Sequence, residues 1–365
     1  MAFPRNGVIE APKIVPSAFG LLAVVDPITG PEDKWVRGFS QEWETDVYAL
    51  YTVDGTDLNE TKLAGDNVVV YYNEIKPFFI EVQEDRSTLG FLGIDRIARL
   101  KRQVDATSQR AIEEELWDGA IRLSTGHSNR ALVSNTVTVI NGSGLSSRRA
   151  LAALEHGIAR TSHAGEQGII HATRDVIALL SSNSNMLFHE KVKDHLQTMG
   201  GTPVVTGSGY TGNGPRIDIA SATVNAATTM TIRTSSNHYL QNNDTISYSF
   251  TASSPVGNRS NVSATVTSIT NATAFTVTIP TTTANANAVS ATGYIQQLGT
   301  YDTKWIYGTG TVKVYLGDVD VVNDNLAQAY DVAGNQNDMR LKAIRPAAAY
   351  FDTSIHLAVR VDLTA

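Results

Sequence analysis

Strict alternation of apolar and polar residues marks residues 217–297, in the second half of the chain. The stretches TMTIRTS, DTISYSFTA, SATVTSIT and AFTVTI repeat this period of two and are separated by turns about eight to twelve residues apart. The pattern predicts a small all-β sandwich or barrel, and alternating threonine suits a pleated face in contact with water. A low-complexity linker is the alternative, which the regular alternation disfavours. The only charged residues of the block are Asp218, Arg233, Asp244 and Arg259.

A helical period dominates residues 92–118, where apolar residues recur every three or four positions and Gly119 offers a stop. At 1.5 Å per residue, a helix over this range is about 40 Å long. Shorter helices are predicted over 145–163 and near 187–198. Between them, a short strand at 168–171 is followed by a helix from Thr173 onward.

The first 33 residues predict an extended arm. Pro4, Pro12, Pro16, Pro27 and Pro31 break any long helix, because proline lacks an amide donor and restricts its neighbour. Apolar residues lie between the prolines, so the arm must rest on its own body or on another subunit.

Strand patterns follow in residues 34–84. VYALYTV and NVVVYYNEI are rich in β-branched and aromatic residues and flank a polar segment, 54–66. They predict a long hairpin with a solvated tip. A bare two-stranded hairpin is marginal in water, so a projecting hairpin needs a neighbour.

The segments that flank the β block resume the earlier composition. Before it, TPVVTGSGYTGNGP predicts a strand and a flexible glycine loop; after it, KWIYGTGTVKVYLGDVDVV predicts strands and IRPAAAYFDTSIHLAVRVDL a closing strand pair. The β block is therefore inserted into a host fold.

Composition and charge narrow the classes of function. The chain has 365 residues, 42% hydrophobic and 18% charged, which is compatible with a packed core. It has no cysteine, hence no disulfide or thiolate site. The formal net charge of -7 argues against tight nonspecific binding to nucleic acid. No apolar run reaches the length of a membrane helix, and the start lacks the order of a secretory signal.

Catalytic constellations are not evident in the sequence. It contains no P-loop, HExxH or GxSxG motif, and GSGYTGNG lacks the context of a dinucleotide fingerprint. His156, His163 and His171 are interpreted as helix-surface residues, and residues 318–325 as an acidic turn. Glu113–Glu115 are interpreted as a solvated face or as partners in salt bridges to a neighbouring arginine. Arg99–Gln103 are interpreted as the complementary basic end of the long helix. We therefore predict no catalytic, cofactor-binding or metal-binding residues and no cofactor.

The order of parts resembles the major capsid proteins of tailed bacteriophages with the Hong Kong 97-type fold, especially those of actinobacteriophages. The resemblance is carried by IKPFFIEVQ (75–83), by the helix from Ile94, by EEELWDG (113–119) and by the later stretches GIIHATRDVIALL, GTPVVTGSGY, WIYGTGTVKVYLG and RPAAAYFDTSIHLAVRVDL. It implies an α+β fold with an inserted all-β domain. The implied parts are an N-terminal arm, 1–33; an extended loop, 34–75; a peripheral domain, 76–164 with a spine helix at 92–118, closed by strands in 331–365; an axial domain, 165–216 and 298–330; and the insertion, 217–297.

The resemblance implies a non-enzymatic structural protein that assembles into pentamers and hexamers of an icosahedral virion shell around double-stranded DNA. It also implies that the arm and the hairpin are buried only between subunits. Implied partners are copies of itself, a portal protein, decoration proteins and a separate scaffold if one is used; no membrane is involved. We expect no maturation cleavage and no cross-link between Lys62 and Asn59 near the hairpin tip. The alternatives are an encapsulin-like nanocompartment shell, a phage tail or adhesion protein, and an enzyme with an unrecognised site.

Overall fold

The computed structural model is a mixed α+β protein. It describes residues 18–29, 39–43, 71–87, 96–119, 129–161, 168–182, 187–190, 195–226, 228–253, 256–280, 285–323, 330–331 and 336–364. The predictions for 1–17, for the strand at 47–53, for the hairpin tip with Asn59 and Lys62, and for His163 lie outside these residues.

One helix lies against a five-stranded sheet. The sheet consists of β3 (Phe78–Ser87), β16 (Val312–Leu316), β17 (Asp320–Asn323), β18 (Tyr330–Asp331) and β19 (Gln336–Phe351). The helix, α2 (Arg96–Asp118), buries Leu100 and Val104 against Leu341 and Ala343 of β19. Residues 92–95, the predicted start of this helix, lie outside the described residues.

A second sheet has seven strands in the order β4-β20-β15-β5-β8-β7-β6. The strands are β4 (Thr138–Ser146), β5 (Ile169–His171), β6 (Leu187–Glu190), β7 (His195–Thr198), β8 (Pro203–Val205), β15 (Thr303–Thr309) and β20 (His356–Asp362). Two helices, α3 (Ser147–Thr161) and α4 (Arg174–Ser182), share an apolar core with one face of this sheet.

The helix predicted near 187–198 is wrong. This segment forms β6 and β7, which pair antiparallel, and β7 pairs in turn with β8. Leu196, opposite Val204, is held by the edge of an existing sheet. Tertiary pairing here overrides a local sequence that is compatible with helix.

The predicted closing strand pair is also corrected, because its strands pair with different sheets. β20 pairs with β15 in the seven-stranded sheet, and β19 pairs with β16 in the five-stranded sheet. Thr309 lies opposite His356, and Val312 lies opposite Phe351 a few residues later. Two chain segments therefore cross side by side from one sheet to the other.

The threonine-rich block folds as a closed barrel in the order β10-β13-β12-β11-β14-β9. Its strands are β9 (Arg216–Ala226), β10 (Thr229–Thr234), β11 (Thr245–Ala252), β12 (Arg259–Asn271), β13 (Ala274–Thr278) and β14 (Asn285–Gln297). Met230, Ile232, Phe275 and Val277 point into a filled interior, while threonines alternate outward. This excludes the linker alternative.

Two short elements precede the body. β1 (Phe39–Trp43) and β2 (Tyr71–Ile75) pair antiparallel as a separate two-stranded ribbon, with Phe39 opposite Ile75. Within the arm, α1 (Leu21–Val24) is one short helical turn.

Candidate functional site

The uncovered side of the five-stranded sheet is the first candidate surface, and we call it the outer face. Paired residues on neighbouring strands share a face, and Phe79 pairs with Pro346, Glu81 with Ile344, and Val322 with Lys342. Helix α2 packs on the opposite face. Phe79 is 60% exposed and Val322 48% exposed, whereas Ile344 and Pro346 are half-buried. This side of the sheet therefore presents Phe79 and Val322 to solvent, beside an ion pair between Lys342 and Glu81 at 2.9 Å.

The ribbon leaves from the edge of this outer face. Ile75, at the end of β2, is buried against Ala348 and Tyr350. The turn into β3 is fixed by Asn129, whose Oδ1 accepts the Lys76 amide at 2.9 Å and whose Nδ2 donates to the Lys76 carbonyl at 2.7 Å. The base of the ribbon is thereby held on the body.

The described part of the arm is also held on its own body. Leu21 is fully buried in the core that contains Ile112 and Leu116 of α2. Ile28 forms a parallel bridge to β16, with its amide 2.8 Å from the Val314 carbonyl. The expectation that the arm is buried only between subunits is therefore wrong for residues 18–29. The reason is that apolar side chains of this segment complete a core that α2 leaves open.

A buried carboxylate ties the arm to the body. Glu113 is fully buried, and its Oε1 accepts the Leu21 amide and Gln109 Nε2, both at 2.9 Å. Its Oε2 accepts the Gly209 amide at 3.1 Å and the Ser208 hydroxyl at 3.3 Å. The interpretation of Glu113–Glu115 as a solvated face is thus wrong for Glu113, and also for Glu115, which is 3% exposed. Apart from Gln109, the partners of Glu113 are 92 to 96 residues away in sequence, where no local pattern reveals them.

The glycine loop, residues 206–215, packs closely and is not the flexible loop that was predicted. A Cβ on Gly209 would lie 2.6 Å from the Arg110 carbonyl oxygen on α2. A Cβ on Gly214 would lie 2.6 Å from Trp305 Nε1. The glycines allow the loop backbone to approach the helix and the tryptophan ring. Nearby, burial raises the pKa of Asp118, which accepts hydrogen bonds from Thr211 and Asn213.

A histidine lies at the centre of this junction. His171 is fully buried, with Nδ1 2.8 Å from the Tyr210 hydroxyl and Nε2 2.9 Å from the Thr309 hydroxyl. Burial, assisted by nearby His356, lowers the pKa of His171 to about 3. The helix-surface interpretation is wrong for His171, which belongs to β5, and confirmed for His156, which is exposed on α3.

The barrel is fixed to the body by a buried ion pair. Arg360 of β20 donates from Nη2 to Asp244 Oδ1 at 2.7 Å and from Nη1 to Oδ2 at 2.8 Å. The two side chains are 3% and 9% exposed. Gln241 adds a hydrogen bond to the Ser143 carbonyl, and the Arg216 amide donates to the Val133 carbonyl. The barrel is therefore joined to the body through several strands and loops.

The predicted acidic turn at 318–325 is corrected in part, because 320–323 form strand β17. Val319 and Val321 pack towards α2, which leaves Asp318 and Asp320 exposed. In the described ranges, no group of three or more histidine, aspartate or glutamate side chains is placed to hold a metal ion. Within the same ranges, no helix combines the length and apolarity needed to cross a membrane.

Comparisons with known proteins give structural neighbours only. No protein-family model matches the chain, and no curated protein matches it. The capsid of an empty GTA particle is similar at a TM-score of 0.48 and 10% identity, over 99% of this chain and 95% of that one. The SrpI encapsulin of Synechococcus elongatus is similar at a TM-score of 0.47 and 9% identity, over 100% of this chain and 94% of that one. A chain of Microbacterium phage Oxtober96 is similar at a TM-score of 0.46 and 10% identity, over 99% of this chain and 96% of that one.

Proposed function

We propose that this chain is a non-enzymatic shell subunit, the major capsid protein of a tailed bacteriophage, which assembles into pentamers and hexamers around double-stranded DNA. The observation that carries the proposal is the uncovered outer face beside a separate ribbon. Phe79 is 60% exposed, and within the described part of the chain a helix covers only the other side of its sheet. A second copy that covers this face would supply what one chain lacks.

The energetics favour repeated contacts of modest strength. Burying one exposed phenylalanine side chain contributes about 1.5–3 kcal/mol. The ribbon, β1 with β2, pairs only with itself among the described strands, and an isolated two-stranded sheet is marginal in water. Laying the ribbon on a neighbouring copy would stabilise both surfaces, and closed symmetry makes many such contacts act together.

The proposed parts keep the expected order along the chain. Residues 1–33 are the arm and 34–75 the extended loop. The barrel, 217–297, is an insertion between the two parts of an axial domain, 165–216 and 298–330, and lies on the outer surface of the shell. β4 and β20 fall in the ranges 76–164 and 331–365 of the peripheral domain, yet they pair within the seven-stranded sheet, so our proposed axial domain includes both strands.

The proposed partners are further copies of the chain, with portal, decoration and scaffold proteins of the same virion. The shell encloses DNA without reading its sequence, and the protein is a component of the virion made in the host cytoplasm. The four hydrogen bonds to buried Glu113 support this role, because they hold the arm, α2 and the glycine loop together, and a subunit that repeats through a closed shell requires a constant shape.

The test is electron microscopy of the purified full-length protein together with the substitution Phe79→Glu. We expect closed polyhedral particles from the wild type, and fewer or none from the variant, because a carboxylate on the outer face opposes its burial. Ser263→Glu places the same charge on an exposed barrel strand and should assemble normally.

Circular dichroism should show that both variants keep the wild-type fold. A wild type that stays monomeric under all assembly conditions, or a Phe79→Glu variant that assembles as well as Ser263→Glu, would contradict the proposal. Particles that hold protein cargo and no nucleic acid would identify a nanocompartment shell instead.

A further inference from the structure

Helix α3 carries a basic stripe, which we define as Arg148, Arg149, His156 and Arg160. All four side chains are exposed. The opposite side of the helix buries Leu151, Leu154 and Ile158 in the core under the seven-stranded sheet. The orientation of the helix is therefore fixed by packing, and the stripe faces away from the body.

No acidic residue in the described ranges forms an ion pair with this stripe. The only acidic residue of α3 is Glu155, whose Oε2 accepts the Thr202 hydroxyl at 2.9 Å and lies beside Gly200. A chain with a formal net charge of -7 thus presents three arginines together on one helix.

The spacing of the stripe suits an extended polyanion. Arg149, His156 and Arg160 fall within about 40° of one another around the helix, and Arg149 and Arg160 are about 16 Å apart along its axis. Arg148 lies roughly 80–120° to one side of this row. The exposed positions between them are the small Ala152 and Ala159. A rod-shaped ligand can therefore lie along the helix without meeting a bulky apolar side chain.

We propose that the basic stripe of α3 binds the phosphate backbone of duplex nucleic acid and so marks the surface that faces the inside of the shell. The proposal rests on the proposed function. Duplex DNA carries about one negative charge per 1.7 Å of its axis, so a row of arginines meets phosphates in any register and reads no sequence. Arginine also pairs with phosphate oxygens in two-point geometry.

A protein segment is the rival occupant. The hairpin segment 54–66 contains four acidic residues and one lysine, so its charge also complements the stripe. Protein interfaces, however, usually have an apolar centre with aromatic side chains, and this stripe exposes only arginine, histidine and alanine. The composition of the surface therefore favours phosphate over a second copy.

The test measures binding of the full-length, unassembled protein to a short random-sequence DNA duplex by fluorescence anisotropy across a range of salt concentrations. The variant is R148Q/R149Q/R160Q, in which glutamine keeps helix propensity and removes charge. Each phosphate contact contributes about 0.9 to the slope of log K against log salt, so the variant should lose about 2.7 from it. At about 50 mM salt this corresponds to an affinity loss on the order of 1,000-fold.

The matched control is Arg233→Gln, which removes an exposed arginine on the barrel and should leave the slope unchanged. All three proteins are also examined for particle assembly. Loss of DNA affinity with normal particles supports the inference. An unchanged slope, or a slope that falls equally in Arg233→Gln, overturns it. Loss of particles with unchanged DNA binding assigns the stripe to a contact between copies and also overturns it, whereas failure of the wild type to assemble refutes only the shell.

Discussion

Glu113→Gln is the substitution that most sharply probes how one chain is held together. Glutamine preserves the shape of the side chain but replaces one carboxylate oxygen by an NH₂ group, which donates. Each oxygen of Glu113 accepts hydrogen bonds from two donors. In either orientation of the glutamine amide, its NH₂ group therefore faces two groups that also donate. The less costly orientation turns the NH₂ towards Ser208, whose hydroxyl can rotate and accept.

The magnitude follows from the partners left over. In that orientation the Gly209 amide, now buried without an acceptor, costs about 1–3 kcal/mol. The Leu21 amide and Gln109 lose a charged acceptor for a neutral one, which weakens each bond by roughly half. We therefore expect Glu113→Gln to lower the free energy of unfolding by about 2–4 kcal/mol.

The assay is urea unfolding of the unassembled chain, followed by tryptophan fluorescence, to which buried Trp117, one turn further along α2, and buried Trp305 contribute. Hydrogen exchange of the Leu21 amide reports the arm directly and should become faster in the variant. Glu114→Gln is the control, because among the described residues Glu114 forms its ion pair with Arg110 at the exposed surface, and the substitution should change stability by less than about 0.5 kcal/mol. If the two variants unfold alike, the role we assign to Glu113 is refuted.

Two further predictions concern the barrel anchor and the buried histidines. Asp244→Ala should lower the free energy of unfolding by about 3–5 kcal/mol, because it leaves the buried Arg360 guanidinium without its hydrogen-bonded carboxylate. Thermal unfolding measures this loss, and Asp218→Asn, at an exposed position, serves as the control. Burial lowers the pKa of His356 to about 4, below its ordinary value of 6.5. Between these two pH values the unfolded chain binds a proton at this histidine and the folded chain does not. Stability should therefore fall as the pH drops from about 6.5 towards 4, by about 3 kcal/mol for this residue. His356→Gln should remove about 3 kcal/mol of that dependence and leave the part that buried His171 contributes, whereas His156→Gln should leave the dependence unchanged. An equal effect of both substitutions would count against the burial argument.

Periodic patterns of side chains account for the parts of the fold that the sequence predicts well. The barrel strands follow from alternation, as in β10, where Met230 and Ile232 point inward and Thr229 and Thr231 do not. The long helix follows from its apolar stripe, since Leu100 and Val104 recur at helical spacing. In such elements the local pattern and the final burial agree, so no knowledge of distant partners is needed.

Contacts between distant residues account for what the sequence does not predict. Glu113, the loop at 206–215 and His171 are all buried by partners far along the chain, and their polar residue types suggest exposure. The strands at 187–198 depend on the edge of a sheet formed by other segments. The outer face also depends on distant contacts. The strand that contains Phe79 is predictable from the sequence, but which side of the sheet α2 covers, and hence which side stays exposed in the described structure, is not.

High-resolution electron microscopy of assembled particles tests the central claim most directly, because it traces residues 39–75 in relation to neighbouring copies. The account predicts that this ribbon lies on the outer face of an adjacent copy and covers its Phe79, while residues 18–29 stay on their own body. A ribbon folded back over its own sheet, with Phe79 open to solvent between copies, would contradict the account.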